Sequence, residues 1–111
     1  MGLITGALRV QQLLNAKSDL EFNIQTATET KLGLCKSLSS LATAEASLDG
    51  PDSAAAKRLE EQKIQLQVFE KKIDAQLSAY NARLKMVETE LESAKQLVDK
   101  NIQSSFTYGG R

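Results

Sequence analysis

The chain has 111 residues, and its 14 basic and 14 acidic side chains give a formal net charge of zero. Apolar residues make up 41% and charged residues 25%, which is typical of one folded domain, and neutrality argues against nucleic acid or an anionic membrane as the main partner. The sequence contains no histidine and one cysteine, which excludes histidine-based catalysis, an ordinary zinc site and an internal disulfide.

The first residues do not resemble a signal peptide. The apolar stretch from Met1 to Leu8 has no charged side chain before Arg9 and is interrupted by Thr5 and two glycines. No window approaches the eighteen consecutive apolar residues of a membrane span. We therefore expect no membrane insertion, and either a cytoplasmic location or export without a cleaved signal peptide.

Two long helices and one turn follow along the chain. The first helix is predicted from about residue 3 to 48, with weak spots at Thr26–Thr30 and Gly33 because β-branched residues and glycine lower helix propensity. Residues 49–52 form the predicted turn, since Gly50 and Pro51 suit a helix end and a helix start. The second helix is predicted from about 53 to 104, followed by a tail over 105–111.

Both helices carry an apolar stripe whose members are three and four residues apart, which is typical of a coiled-coil seam. The first stripe is Val10, Leu13, Lys17, Leu20, Ile24, Ala27, Lys31, Leu34, Leu38, Leu41, Glu45 and Leu48. The second is Leu66, Phe69, Ile73, Leu77, Tyr80, Leu84, Val87, Leu91, Ala94 and Val98, with one irregular step after Ile73.

The two stripes predict an antiparallel register. If Leu38 faces Leu66, then Leu20 faces Leu84 and Leu13 faces Leu91, and every such pair of residue numbers adds to 104. Leu34 with Phe69 misses this sum by one. The fold class predicted is all-α: a long antiparallel two-helix hairpin, coiled-coil-like, forming one domain over 1–111 and packed further by self-association.

Apolar residues also lie off the seam, where a two-helix hairpin leaves them exposed. Helix 1 is poor in charge, with four basic and four acidic side chains in residues 1–48 against ten of each in 49–111. We therefore interpret helix 1 as the side that faces other subunits, although it could instead be only an uncharged polar helix. The candidate assembly contacts are Ile4, Leu8, Leu14, Phe22, Phe106 and Tyr108.

Three charged residues occupy seam positions at intervals of fourteen: Lys17, Lys31 and Glu45. Polar residues at core positions of a coiled coil can specify register and oligomer state. Alternatively, their long stems extend to the edge of the narrow seam. We interpret them as register-specifying residues and not as catalytic ones.

The C-terminal segment holds Phe106 and Tyr108 beyond the point where helix 1 has residues to face them. It is either a frayed tail or a short aromatic segment that docks on another chain. Cys35 lies beside the seam and is expected to be a small buried apolar group.

Several segments of the chain resemble known proteins. The chain resembles a group of small bacterial helical-hairpin proteins with no assigned activity. The resemblance lies in Lys17–Phe22, in Pro51–Ser53, and in Asn101–Ile102 with Ser105–Phe106. In architecture the chain is also similar to the needle subunits of type III secretion systems, whose C-terminal helix ends in an isoleucine–phenylalanine segment matched here by Ile102 and Phe106. That resemblance implies assembly into helical tubes and export without a cleaved signal.

The leading hypothesis is a non-enzymatic structural protein whose partner is itself, as a bundle or a helical filament. The alternative is a coiled-coil adaptor or export chaperone that binds another protein's amphipathic helix. Neither hypothesis involves a cofactor, a metal or a catalytic residue.

Overall fold

A computed structural model describes residues 2–47 and 54–109, with side chains described as far as Phe106. Helix α1 spans Gly2–Ala46 and helix α2 spans Ala54–Gly109, and the described residues contain no strand. The prediction of an all-α helical hairpin is confirmed. The predicted turn at 49–52, together with Leu48, lies outside the described residues.

Helix α1 continues through both predicted weak spots. Thr28 Oγ1 donates a hydrogen bond to the carbonyl of Ile24 at 2.7 Å, and Thr30 Oγ1 donates one to the carbonyl of Thr26 at 2.9 Å. These bonds run back along the helix and satisfy the hydroxyls without competing for backbone donors. The helix ends where the amide and the hydroxyl of Ser47 both donate to the carbonyl of Ala44, at 3.2 and 2.8 Å.

Helix α2 extends beyond its predicted end at Ser104, so the segment predicted as a tail is helical as far as Gly109. The earlier end was predicted because α1 offers no facing residue there. Adding a residue to an existing helix needs no tertiary partner when the segment lacks glycine and proline, and Ser105–Tyr108 lack both.

The hairpin divides into two compact units, each of which pairs part of α1 with part of α2. Unit 1 consists of Met1–Asn23 and Tyr80–Arg111, and unit 2 consists of Ile24–Ala79. In unit 1 the buried core is an apolar cluster of Leu13, Leu91 and Ala94, with Val10 and Val87 packed against it. Val10 with Ala94 and Leu13 with Leu91 are the facing pairs that the register predicts.

Glycine permits a close approach near the start of α1. A Cβ atom built on Gly6 would lie 3.0 Å from Val98 Cγ2, and one built on Gly2 would lie 3.4 Å from the side-chain nitrogen of Asn101. The pair Gly6 and Val98 also follows the predicted register. A larger residue at position 6 would require Val98 to shift.

Among the described residues of unit 2, Ala27 and Ile73 are buried. Charged side chains share the seam there: Lys31 and Glu45 on α1, and Lys63 and Glu70 on α2, are all half-buried. Among the described residues no charged side chain is fully buried. Unit 2 therefore has an apolar interior bordered by charges.

One seam position was predicted wrongly. Phe69 is 49% exposed, whereas Glu70 is half-buried. Position 70 keeps the alternation of three and four residues from Leu66 to Ile73, so the predicted irregular step is absent. Position 70 also faces Leu34, because these two residue numbers add to 104 as in the other facing pairs. Phe69 was predicted in the seam instead of Glu70 because it is apolar, but a strict heptad places residue 69 at the edge of the seam.

Candidate functional site

The face of α1 that points away from α2 in unit 1 carries a second regular stripe. The exposed fractions of Ile4, Leu8 and Phe22 are 70%, 61% and 67%, in contrast to the buried Leu13 on the same helix. Successive members of this stripe are alternately four and three residues apart, and all are exposed. We call this set the outer stripe; it consists of Ile4, Leu8, Gln11, Asn15, Ser18 and Phe22.

The outer stripe has apolar ends and a polar, uncharged middle. Gln11 Nε2 donates a hydrogen bond to Asn15 Oδ1 at 3.2 Å along the helix surface. Asp19 and Glu21 lie beside the stripe. Leu14, which is 37% exposed, lies on the same side of the stripe as Glu21. Large apolar side chains on an uncharged helix face are the usual composition of a protein contact surface.

Of the two predicted contact residues near the C-terminus, the structure describes the side chain of Phe106. Phe106 lies on α2 with 81% of its surface exposed, and Ile102 one turn earlier is also exposed. The side chain of Tyr108 lies outside the described residues. Phe106 thus adds an exposed aromatic ring to unit 1, on the other helix from the outer stripe.

Lys31 forms a close ion pair between the two helices of unit 2. Its Nζ lies 2.6 Å from Asp74 Oδ1. The hydrogen bond to Asp74 and the charge of that carboxylate raise the pKa of Lys31 above its ordinary value of 10.5, and the charge of Glu70 adds to the effect. Lys31 therefore interacts with two acidic side chains of α2.

The other two predicted register residues differ from each other. Glu45 Oε2 lies 3.9 Å from Lys63 Nζ on α2, so this pair also joins the two helices. Lys17 Nζ lies 3.9 Å from Glu21 Oε1, four residues further along α1. A pair within one helix does not depend on how the two helices are aligned, so among the described side chains Lys17 has no register-dependent ion-pair partner.

Sequence reasoning missed the α2 partners of these residues. Asp74, Lys63 and Glu70 were not singled out, although the sum of 104 applied to Lys31 and Glu45 would have placed them nearby. Arg9 Nη2 also pairs with Glu90 Oε2 at 3.2 Å across the two helices of unit 1. Cys35 is exposed, contrary to the expectation of burial, because its position flanks the seam without entering it.

Unit 2 also has an open groove on one side of the hairpin. On α1 the small side chains of Ser37, Ser40 and Ala44 alternate with larger ones, and on α2 Phe69 and Leu66 line the groove together with two glutamines. Because the groove is wide open to solvent, it is a surface that could receive a side chain or a helix and not an enclosed small-molecule site. Its lining includes Leu34, Ser37, Leu41, Ala44, Leu66 and Phe69.

Within the described part of the chain, no three histidine, cysteine or acidic side chains are grouped as a metal site, and neither helix is apolar enough over eighteen residues to cross a membrane. No protein-family model, curated protein or solved structure matches this chain. A function must therefore be argued from the chain's own surface.

Proposed function

We propose that this chain is a non-enzymatic structural protein that associates with copies of itself through helix α1 and the C-terminal end of α2. The observation that carries the proposal is the outer stripe, where Ile4, Leu8 and Phe22 are each more than half exposed and no stripe residue is charged. Burying such residues against another chain removes apolar surface from water, which is the main driving force of association.

The distribution of charge supports the same orientation. Residues 1–48 hold four of the 14 basic and four of the 14 acidic side chains, so most of the charge lies in the second half of the chain. Charged residues are depleted at the core of protein interfaces and favoured on solvent-facing surfaces. In the proposed assembly α1 faces other subunits and α2 faces water.

Two kinds of product agree with this arrangement. An isologous contact, in which both copies use the same surface, closes after two hairpins and gives a four-helix bundle. A heterologous contact between different surfaces, such as Phe106 on one copy and α1 on the next, continues into a helical filament. The architectural similarity to needle subunits supports the filament as one of these two products, together with export without a cleaved signal.

The test compares a stripe variant with a matched control. Replacing Ile4, Leu8 and Phe22 with serine is expected to abolish the largest species seen by light scattering and negative-stain microscopy, while the helical circular dichroism persists. The control replaces Ile64, Val68 and Met86 of α2, which are similarly exposed. If both variants lose assembly equally, or if the wild-type protein stays monomeric at all concentrations, the proposal is wrong.

The C-terminal contact needs a separate variant. A chain that ends at Ser104 lacks Phe106 and Tyr108 and is expected to keep its helices while losing its largest assembled species. Unchanged assembly would remove Phe106 and Tyr108 from the contact surface and leave the outer stripe as its main part.

A second candidate function is an adaptor or export chaperone that binds an amphipathic helix from another protein. The groove in unit 2 favours it, since Phe69 and Leu34 offer apolar contacts beside small residues. The purified adaptor would stay small until its partner is added, and Phe69→Ser would then weaken binding without affecting self-association. A self-assembling protein forms larger species alone.

A further inference from the structure

The spacing of the outer stripe is the same when it is followed in either direction. Its steps are four, three, four, three and four residues. A stripe with this symmetry can pack against a second copy of itself in the antiparallel direction, with each residue of one copy facing a stripe residue of the other. The facing pairs are Ile4 with Phe22, Leu8 with Ser18, and Gln11 with Asn15.

We propose that two copies of this chain form an isologous dimer through antiparallel packing of their outer stripes. This inference rests on the proposed function and specifies its first contact. Ile4 and Phe22 bury each other at both ends of the contact. Gln11 and Asn15 meet near the two-fold axis, where their side-chain amides can exchange hydrogen bonds between the two copies.

The residues beside the stripe are compatible with antiparallel packing. In the antiparallel arrangement Leu14 lies beside Leu14 of the second copy, while Glu21 approaches Ala7 and Asp19 approaches Thr5. No two acidic side chains therefore face each other. The only basic residues of this segment of α1 are Arg9 and Lys17, which pair with Glu90 and Glu21 of their own chain.

A parallel arrangement is disfavoured by charge. The same helix face continues, at the same spacing, to Glu29 and Lys36. Parallel copies would bring Glu29 against Glu29 and Lys36 against Lys36, and like charges in direct apposition are destabilising. In the antiparallel arrangement the contact ends near Gln25, which leaves both charged residues outside it.

The length of the contact predicts its strength. Ile4 and Phe22 lie ~27 Å apart along a helix that rises 1.5 Å per residue. A single stripe of this length lies at the small end of specific interfaces, so the dimer is expected to form in a concentration-dependent manner.

Cysteine crosslinking tests the pairing in a Cys35→Ser background. Because positions 4 and 22 of one chain are ~27 Å apart on the same helix, a disulfide between them must join two chains. The double variant Ile4→Cys with Phe22→Cys is expected to shift from the 12.1 kDa monomer band to twice that mass under mild oxidation. The single variants are expected to remain monomeric, and a peptide map should identify the 4–22 linkage.

The controls separate this inference from the proposed function. Circular dichroism of each variant verifies that the helices persist. Val68→Cys with Met86→Cys in the same background measures crosslinking by random collision, because these exposed positions have the same separation along one helix as positions 4 and 22. If Phe22→Cys alone crosslinks as well as the double variant, the packing is parallel and the inference is wrong. If light scattering detects assembly while the double variant crosslinks no more than the collision control, the inference is wrong and self-association stands. If no association is detected, both fail.

Discussion

The two units of the hairpin use the same seam geometry with different chemistry. In unit 1 the seam is apolar around Leu13 and Leu91. In unit 2 the seam includes Lys31 and Glu45, each paired with an opposite charge on α2. The two units therefore contribute differently to the fold. Apolar burial supplies most of the stability of a coiled coil, whereas charge pairs make one alignment of the helices more stable than shifted alignments.

A shift of the helices by one heptad shows why the charges matter. In unit 1 such a shift would move Leu13 from Leu91 to Leu84 or Val98, which are also apolar. In unit 2 it would replace Asp74, the partner of Lys31, with Gln67 or Asn81, and in one direction it would bring Glu45 near Glu70. Unit 2 thus opposes a shift that the core of unit 1 would tolerate.

The largest expected effect is the loss of core packing in unit 1. Leu91→Ala removes a buried side chain from the central cluster and should lower the free energy of unfolding by about 2–4 kcal/mol. Leu97→Ala on the same helix is the control, because Leu97 is exposed and its change should stay within about 0.5 kcal/mol. Urea denaturation followed by circular dichroism measures both. Equal losses would show that unit 1 has no distinct core.

The seam lysines sharpen the comparison between the units. Lys17→Leu should raise the free energy of unfolding by about 1 kcal/mol, since leucine buries apolar surface at a position where lysine has no partner on α2. Lys31→Leu should raise the free energy of unfolding and the thermal midpoint less than Lys17→Leu does, because it leaves Asp74 without its ammonium partner. The distribution of oligomers should broaden for Lys31→Leu more than for Lys17→Leu. A larger increase in midpoint for Lys31→Leu, with a single species retained, would contradict the register role.

Two helix glycines test how closely each unit is packed. A Cβ atom on Gly33 of unit 2 would meet no heavy atom within 4 Å, so Gly33→Ala should stabilise the protein by about 0.5–1 kcal/mol through helix propensity alone. Gly6→Ala in unit 1 should gain less, because Val98 must move to admit the methyl group. Thermal unfolding of the two variants measures the gain in stability at each position. A greater gain at position 6 would mean that α1 and α2 do not approach closely there.

The smallest expected effect concerns pH and the Lys31–Asp74 pair. The pKa of Lys31 is raised in the folded protein, so the stabilisation is complete below its ordinary value of 10.5 and is lost as pH rises through the higher folded value. The difference in thermal midpoint between the wild-type protein and Asp74→Asn should therefore be constant near neutral pH and shrink above 10.5. A difference that instead grows at high pH would contradict the assigned pair.

Much of this architecture follows from the sequence alone. The spacing of Leu13, Leu20 and Ala27 identifies the buried side of α1, because a helix repeats its faces at a fixed interval whatever it packs against. The exposure of Ile4, Leu8 and Phe22 follows for the same reason, since a helix in a two-helix hairpin buries only one side. The antiparallel register follows from two such stripes joined by a short connection.

Other features depended on the tertiary structure. The heptad spacing alone places residue 70 in the seam, but only the packing of α1 against α2 shows that the charged Glu70 occupies this position while the more apolar Phe69 stays exposed. Likewise, the pattern places Lys17 and Lys31 in equivalent seam positions, yet one pairs along its own helix and the other pairs with Asp74 across the hairpin. A helical repeat determines which side of a helix is buried; the partner of a long charged side chain depends on the groups that the second helix places within its reach.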